Sequence, residues 1–167
     1  MSAAGDLEQV AELLGRPPRC GFEVVVRDEK GWPVVIRNEP RLDDGTPMPT
    51  LYWLVGRKEV QAVSRLEAAG GVRRAVEEVP AEEIAQAHRA YAAERNASLV
   101  PRGESPAPSG GVGGTRSGVK CLHAHYAWWL AGGSDPVGRW VAAQLAAGRA
   151  DACDRAASGA RWEEVSG

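Results

Sequence analysis

A chain of 167 residues can enclose one hydrophobic core and is short for two. Apolar residues make up 44% and charged residues 25%, the composition of an ordinary globular protein. The 20 Lys and Arg against 22 Asp and Glu leave a net charge of -2, which argues against a protein whose main task is bulk DNA binding.

Asp6 and Gln9 have the spacing of an N-cap and its capping-box partner, and Leu7, Val10, Leu13 and Leu14 follow as an apolar stripe. Gly15 and Pro17-Pro18 end that helix. Phe22 to Arg27 and Val34-Val35-Ile36 are β-branched runs on either side of Gly31 and read as a hairpin, with Pro33 at an edge or strand start. Asp43 to Thr50, with an Asp-Gly pair and two prolines, is a stiff turn before a third strand over Leu51 to Val55. Arg57 to Ala69 is helical in its spacing and stops at Gly70-Gly71. Pro80 opens another helix to about Asn96, with Ile84, Ala87, His88 and Tyr91 on one face. Residues 100–118 are dense in Gly, Pro and Ser and read as a loop. Val119 to Leu130 is the next helix, and Asp135-Pro136 caps and starts the last. The pattern fades after Gly148, so a single α+β domain is expected over 1–148 and a fraying helix and partly disordered tail over 149–167, with Trp162 as its pin. The expected core is a small three-stranded antiparallel sheet, hairpin plus one strand, packed with about five helices.

No apolar run approaches the roughly 20 residues that span a bilayer. Met1 to Asp6 has neither a basic nor an apolar leader region, so a cytoplasmic protein without membrane contact is expected. Cys20, Cys121 and Cys153 lack a regular spacing and fit reduced thiols better than a disulfide framework.

Leu14 to Pro18, Pro40 to Leu54, Val63 to Glu67 and Val119 to His123 stand in an order that resembles the bacterial family known as domain of unknown function 501. The resemblance covers most of the chain up to about Leu145 and implies no defined activity. It associates the family with exopolyphosphatase-like and septum-formation proteins, and hence with phosphate metabolism or cell division. It also implies cysteines in the hairpin turn and near Gly56, where this chain has none. If those cysteines bind metal in relatives, ligands are missing here.

Gly110 to Lys120 is a glycine-rich run leading into a helix, a pattern whose backbone amides suit an anion. Arg116, Ser117 and Lys120 would hold a phosphate there, with Arg41, Asp44, Thr46 and His123 approaching from the sheet side. The run is not a Walker A motif, because Val119-Lys120 stands where Lys followed by Ser or Thr is required. The alternative is a flexible linker with incidental basic residues. Arg65 is either half of a surface ion pair or a phosphate clamp.

Cys121 and His125, four apart on a helix, are candidates for metal ligation, with Cys20 and His88 as distant additions. The same pair, or His123, could make a thiolate nucleophile with its base. Asp44 is an acid, base or magnesium candidate beside the plainer reading of turn chemistry, and His88 is read first as a satisfied core or edge histidine. Six tryptophans exceed what so small a core usually needs, so some are candidates for an interface.

The leading expectation is an uncharacterised protein that binds a phosphate-bearing ligand, a nucleotide, polyphosphate or RNA end. The alternatives are a protein-interaction module linked to cell division or envelope regulation, and a Cys/His metal-binding protein. No cofactor and no complete nucleophile, base and oxyanion set can be read, which leaves catalysis open.

Overall fold

The hairpin turn is held by Asp28, whose Oδ1 accepts the backbone N–H groups of Lys30 (2.9 Å) and Trp32 (2.8 Å). Gly31 completes it at a φ of 83°, a conformation that a Cβ disfavours. The turn joins β1 (Phe22–Arg27) to β2 (Pro33–Asn38), antiparallel, with Val24 opposite Ile36. Pro33 begins its strand, where a missing N–H disturbs the ladder least. β3 (Tyr52–Leu54) pairs antiparallel with the far side of β2, giving the order β1-β2-β3.

The computed structural model describes residues 3–42, 44–46, 48–97 and 109–159. Around the sheet it has α1 (Ala3–Leu14), α2 (Arg57–Ala68), α3 (Gly71–Glu78), α4 (Ala81–Ala97), α5 (Leu122–Leu130) and α6 (Pro136–Gly159), an α+β fold. Ile36 buries one sheet face against Val10 of α1, while Val35 and Tyr52 pack on the other against Tyr91 of α4 and Ala127 and Trp128 of α5. A second core joins Val63 of α2, Ala75 of α3, Ile84 of α4, Leu122 of α5 and Val141 of α6. Fully burying a Val, Leu or Ile side chain contributes about 1.5–3 kcal/mol, and these residues tie five helices into one layer. Tyr91 links helix to sheet, its hydroxyl oxygen accepting the Leu51 N–H at 2.5 Å.

Three expectations need correction. Helix α1 starts at Ala3, and Asp6 caps nothing; its carboxylate meets Arg27 of β1 in a two-pronged contact at 2.8 Å. Gly70 does end α2, at a φ of 81°, yet α3 begins in the next residue because Gly71 lets the chain fold back onto Leu66. A Cβ at Gly71 would lie 2.6 Å from the Leu66 carbonyl oxygen. Helix α5 starts at Leu122 instead of Val119, since Cys121 is extended (φ -152°, ψ 144°). Helix α6 runs on past Gly148 to Gly159, where a fraying helix is expected. The loop over 100–108, the tail from 160 with Trp162, and Asp43 lie outside the described residues.

Asp135 caps α6 as expected: its Oδ1 accepts the Gly138 N–H at 2.8 Å. Among the described residues, no helix is long and apolar enough to cross a membrane.

Candidate functional site

Residues 110–115 of the glycine-rich run form a packed turn. Gly111 N–H donates to the Thr115 carbonyl (2.7 Å), Gly114 N–H to Gly111 (3.0 Å), and Val112 N–H to Nδ1 of His88 (3.1 Å). Arg95, 1% exposed, donates to the carbonyls of Gly110 (2.8 Å) and Pro49 (3.3 Å) and clamps the turn from α4. The glycines here serve close packing: a Cβ at Gly111 would stand 2.5 Å from the His88 side chain. The Gly111, Val112, Gly114 and Thr115 amides, committed to internal partners, cannot also cradle an anion.

His88 is thereby a structural residue with a defined tautomer. Its Nδ1 accepts from Val112, so Nε2 carries the proton and donates to the Gly118 carbonyl at 2.8 Å. Burial pushes its pKa below the ordinary 6.5, with the nearby His125 adding to the shift against the opposing Gly118 carbonyl. Because the folded value lies below the unfolded one, this stabilisation is complete above about pH 6.5 and is lost as pH falls through the folded value. Melting temperatures between pH 7 and 5 should therefore fall more steeply for the wild type than for His88→Gln, and parallel profiles would contradict this role.

The start of α5 brings together what the sequence scattered. Glu67, near the end of α2, accepts the Leu122 N–H at 2.5 Å, placing a carboxylate on the positive end of α5. The same oxygen lies 3.2 Å from Nδ1 of His123. Nε2 of His123 approaches Ser64 Oγ (3.2 Å) and the Val60 carbonyl (3.3 Å). Val60, Ser64 and Glu67 occupy successive turns of one face of α2, which explains why three of its residues meet a single imidazole. Donor atoms of Glu67, Cys121 and His123 lie within 4.8 Å of one another, the one such group among the described residues. All three are partly buried. The Cys121 thiol raises the His123 pKa above its ordinary value, with burial opposing and the Glu67 carboxylate adding to the rise.

This cluster borders a cavity of about 370 Å³ between β3 and α5. Tyr52, Trp53, Leu54, Val60 and Ala124 form apolar walls, and Cys121, His123 and Lys120 also line it.

The remaining candidates lie elsewhere. His125 is 1% exposed and binds Asp135 through Nδ1 at 2.7 Å, so the extended Cys121 and the inward-facing His125 do not form the expected pair. Cys20 is buried beside Asn38, its Sγ 3.9 Å from Oδ1. Asp44 is exposed and accepts the Thr46 N–H at 2.9 Å, and the Thr46 side chain and backbone hold its carboxyl below the usual range. Arg41 donates to the Gly45 carbonyl (3.0 Å), so this loop is tied to itself. Arg116 and Ser117 are exposed and line none of the cavities described. Arg65 borders a separate groove between α2 and α6. The hairpin turn and Gly56 do face each other, around a cavity of about 290 Å³ whose lining is Asp28, Trp32, Gly56, Arg57 and neighbours, without a thiol.

The tryptophans are largely engaged within the fold. Trp128 is 3% exposed and donates to Glu94 (3.0 Å), and Trp129 stacks on Tyr126 with ring centres 5.9 Å apart. Trp140 donates to Glu78 (2.7 Å) beneath Arg74, and Trp53 lies under Arg16.

Sequence reading missed Glu67. The usable signal was the polar stripe Ser64 and Glu67 interrupting an otherwise amphipathic helix, inside a segment that also carries the family resemblance.

No curated protein and no solved structure matches the chain. Residues 24–143 match the family described as Protein of unknown function (DUF501), and over this majority of its length the chain belongs to that family.

Proposed function

We propose that this protein binds a divalent cation of the zinc class through Cys121 Sγ, His123 Nδ1 and a Glu67 carboxylate oxygen, with a further coordination position open to the cavity. The observation that carries the reading is the mutual approach of three donors of the types zinc prefers. The His123 environment supports it. A carbonyl only accepts, so the Val60 oxygen favours the proton on Nε2 and leaves the Nδ1 lone pair toward Glu67. A lone pair and a carboxylate at 3.2 Å repel unless a cation, proton or metal, sits between them. Three protein ligands and one open position is the arrangement of zinc sites that bind or activate a small molecule.

A phosphate cradle at the α5 N-terminus draws less support. Glu67 already takes the Leu122 N–H, the Gly111, Val112, Gly114 and Thr115 amides are paired internally, and Arg116 stands outside the cavity. A tryptophan docking face draws less as well, because four of the six indoles have partners within the fold.

Purified protein titrated with zinc against a chromophoric chelator at neutral pH should retain one equivalent per chain. Cys121→Ser and His123→Gln should each weaken binding by more than about a hundredfold, beyond the roughly 10–100-fold cost of losing an outer-shell partner. Ser64→Ala should weaken it by about tenfold. Equal chelator competition by the wild type and Cys121→Ser would reject the site.

A further inference from the structure

We infer that the cavity beside this cluster receives a small molecule joining one anionic head group to a flat apolar body, the head group taking the open metal position. The inference rests on the metal reading and adds the chemistry of what the metal meets. A thiolate and a carboxylate neutralise the charge of a divalent cation, so the metal alone leaves no net positive charge for an incoming anion. Lys120 supplies it. It borders the cavity with Cys121 and His123, is exposed, has no carboxylate partner among the described residues, and no Asp or Glu shares the lining. An anion with one oxygen on the metal and another on Lys120 would be held by two charge-assisted contacts. The rest of the lining, Tyr52, Trp53, Leu54, Val60 and Ala124, offers aromatic and aliphatic surface that a wholly polar ligand would leave unused. A volume of about 370 Å³ is near the low end for ligand sites, and a lone lysine suits a single head group better than a polyphosphate chain.

Cobalt(II) in place of zinc gives visible bands that respond to a change of ligand, so the loaded full-length protein can be titrated with phenylacetate, phenylphosphonate, acetate and phenylacetamide. Both aryl anions should shift the bands and bind about tenfold or more tightly than acetate, while the neutral amide should not shift them. The stronger of the two identifies the head group as carboxylate or phosphonate. Lys120→Met should leave the cobalt spectrum of the ligand-free protein unchanged and weaken the aryl anions by about tenfold, the effect of losing one charge-assisted hydrogen bond. Cobalt that binds but ignores every anion, or aryl anions indifferent to Lys120→Met, would overturn this inference and leave the metal site standing. Failure of cobalt and zinc to bind at all would remove both.

Discussion

Asp135→Ala should lower the unfolding free energy by about 2–4 kcal/mol, the cost of stranding a buried hydrogen-bond donor and losing a helix cap together. The side chains of His125 and Asp135 are 1% and 0% exposed, and the carboxylate does two things at once. Its Oδ1 caps α6 through Gly138, and its Oδ2 accepts from Nδ1 of His125 at 2.7 Å. Nε2 of His125 already has no hydrogen-bond partner among the described residues, so truncating Asp135 would strand both ring nitrogens in the core. Asp135→Ser should recover part of the loss, because a hydroxyl can cap α6 but is too short to reproduce the carboxylate bridge. Urea unfolding at neutral pH reads this directly, as a lower midpoint with an unchanged slope for both variants and the larger shift for alanine. A loss below about 1 kcal/mol for Asp135→Ala would mean that water enters and satisfies the ring, and that the pair matters little to the fold.

The cap half of this bridge is legible in the sequence, since Asp135-Pro136 announces a helix start; the His125 half is not. Local chemistry is what sequence displays: the Asp28 turn with Gly31, the Pro33 strand start and the α6 cap each depend on neighbours a few residues away. Long-range partners override the weaker local signals. Asp6 has the spacing of a cap, but Arg27 on β1 offers it a charged partner. Val119 and Lys120 look helical, but the Glu67 carboxylate takes the Leu122 N–H and Cys121 is extended there. That one-turn displacement undoes the Cys121 and His125 pairing and substitutes His123. Glycine reads ambiguously for the same reason. Gly111 resembles a residue that opens backbone to an anion, whereas its lack of a Cβ admits His88, a residue on another element.

If the Glu67, Cys121 and His123 cluster holds zinc, saturating metal should stabilise the fold by mass action, because the unfolded chain does not hold the three donors together. At free zinc of about a thousand times Kd the gain is about 4 kcal/mol. The donors come from two elements, Glu67 on α2 and Cys121 with His123 at the start of α5, so the metal would cross-link helices far apart in sequence. The gain should depend on pH with a defined sign. Without metal, a His123 pKa raised by the Cys121 thiol and by Glu67 means that the protonated ring contributes stability below its unfolded value, lost as pH rises through the folded value. With metal the order reverses, since zinc requires a neutral imidazole and a thiolate and competes with their protons. The zinc-induced rise in melting temperature should thus be larger at pH 8 than at pH 6, disappear with excess chelator, and fall by at least half in Cys121→Ser. A zinc response of equal size in Cys121→Ser would place the metal on other residues, and the cluster would then be a hydrogen-bonded junction between α2 and α5.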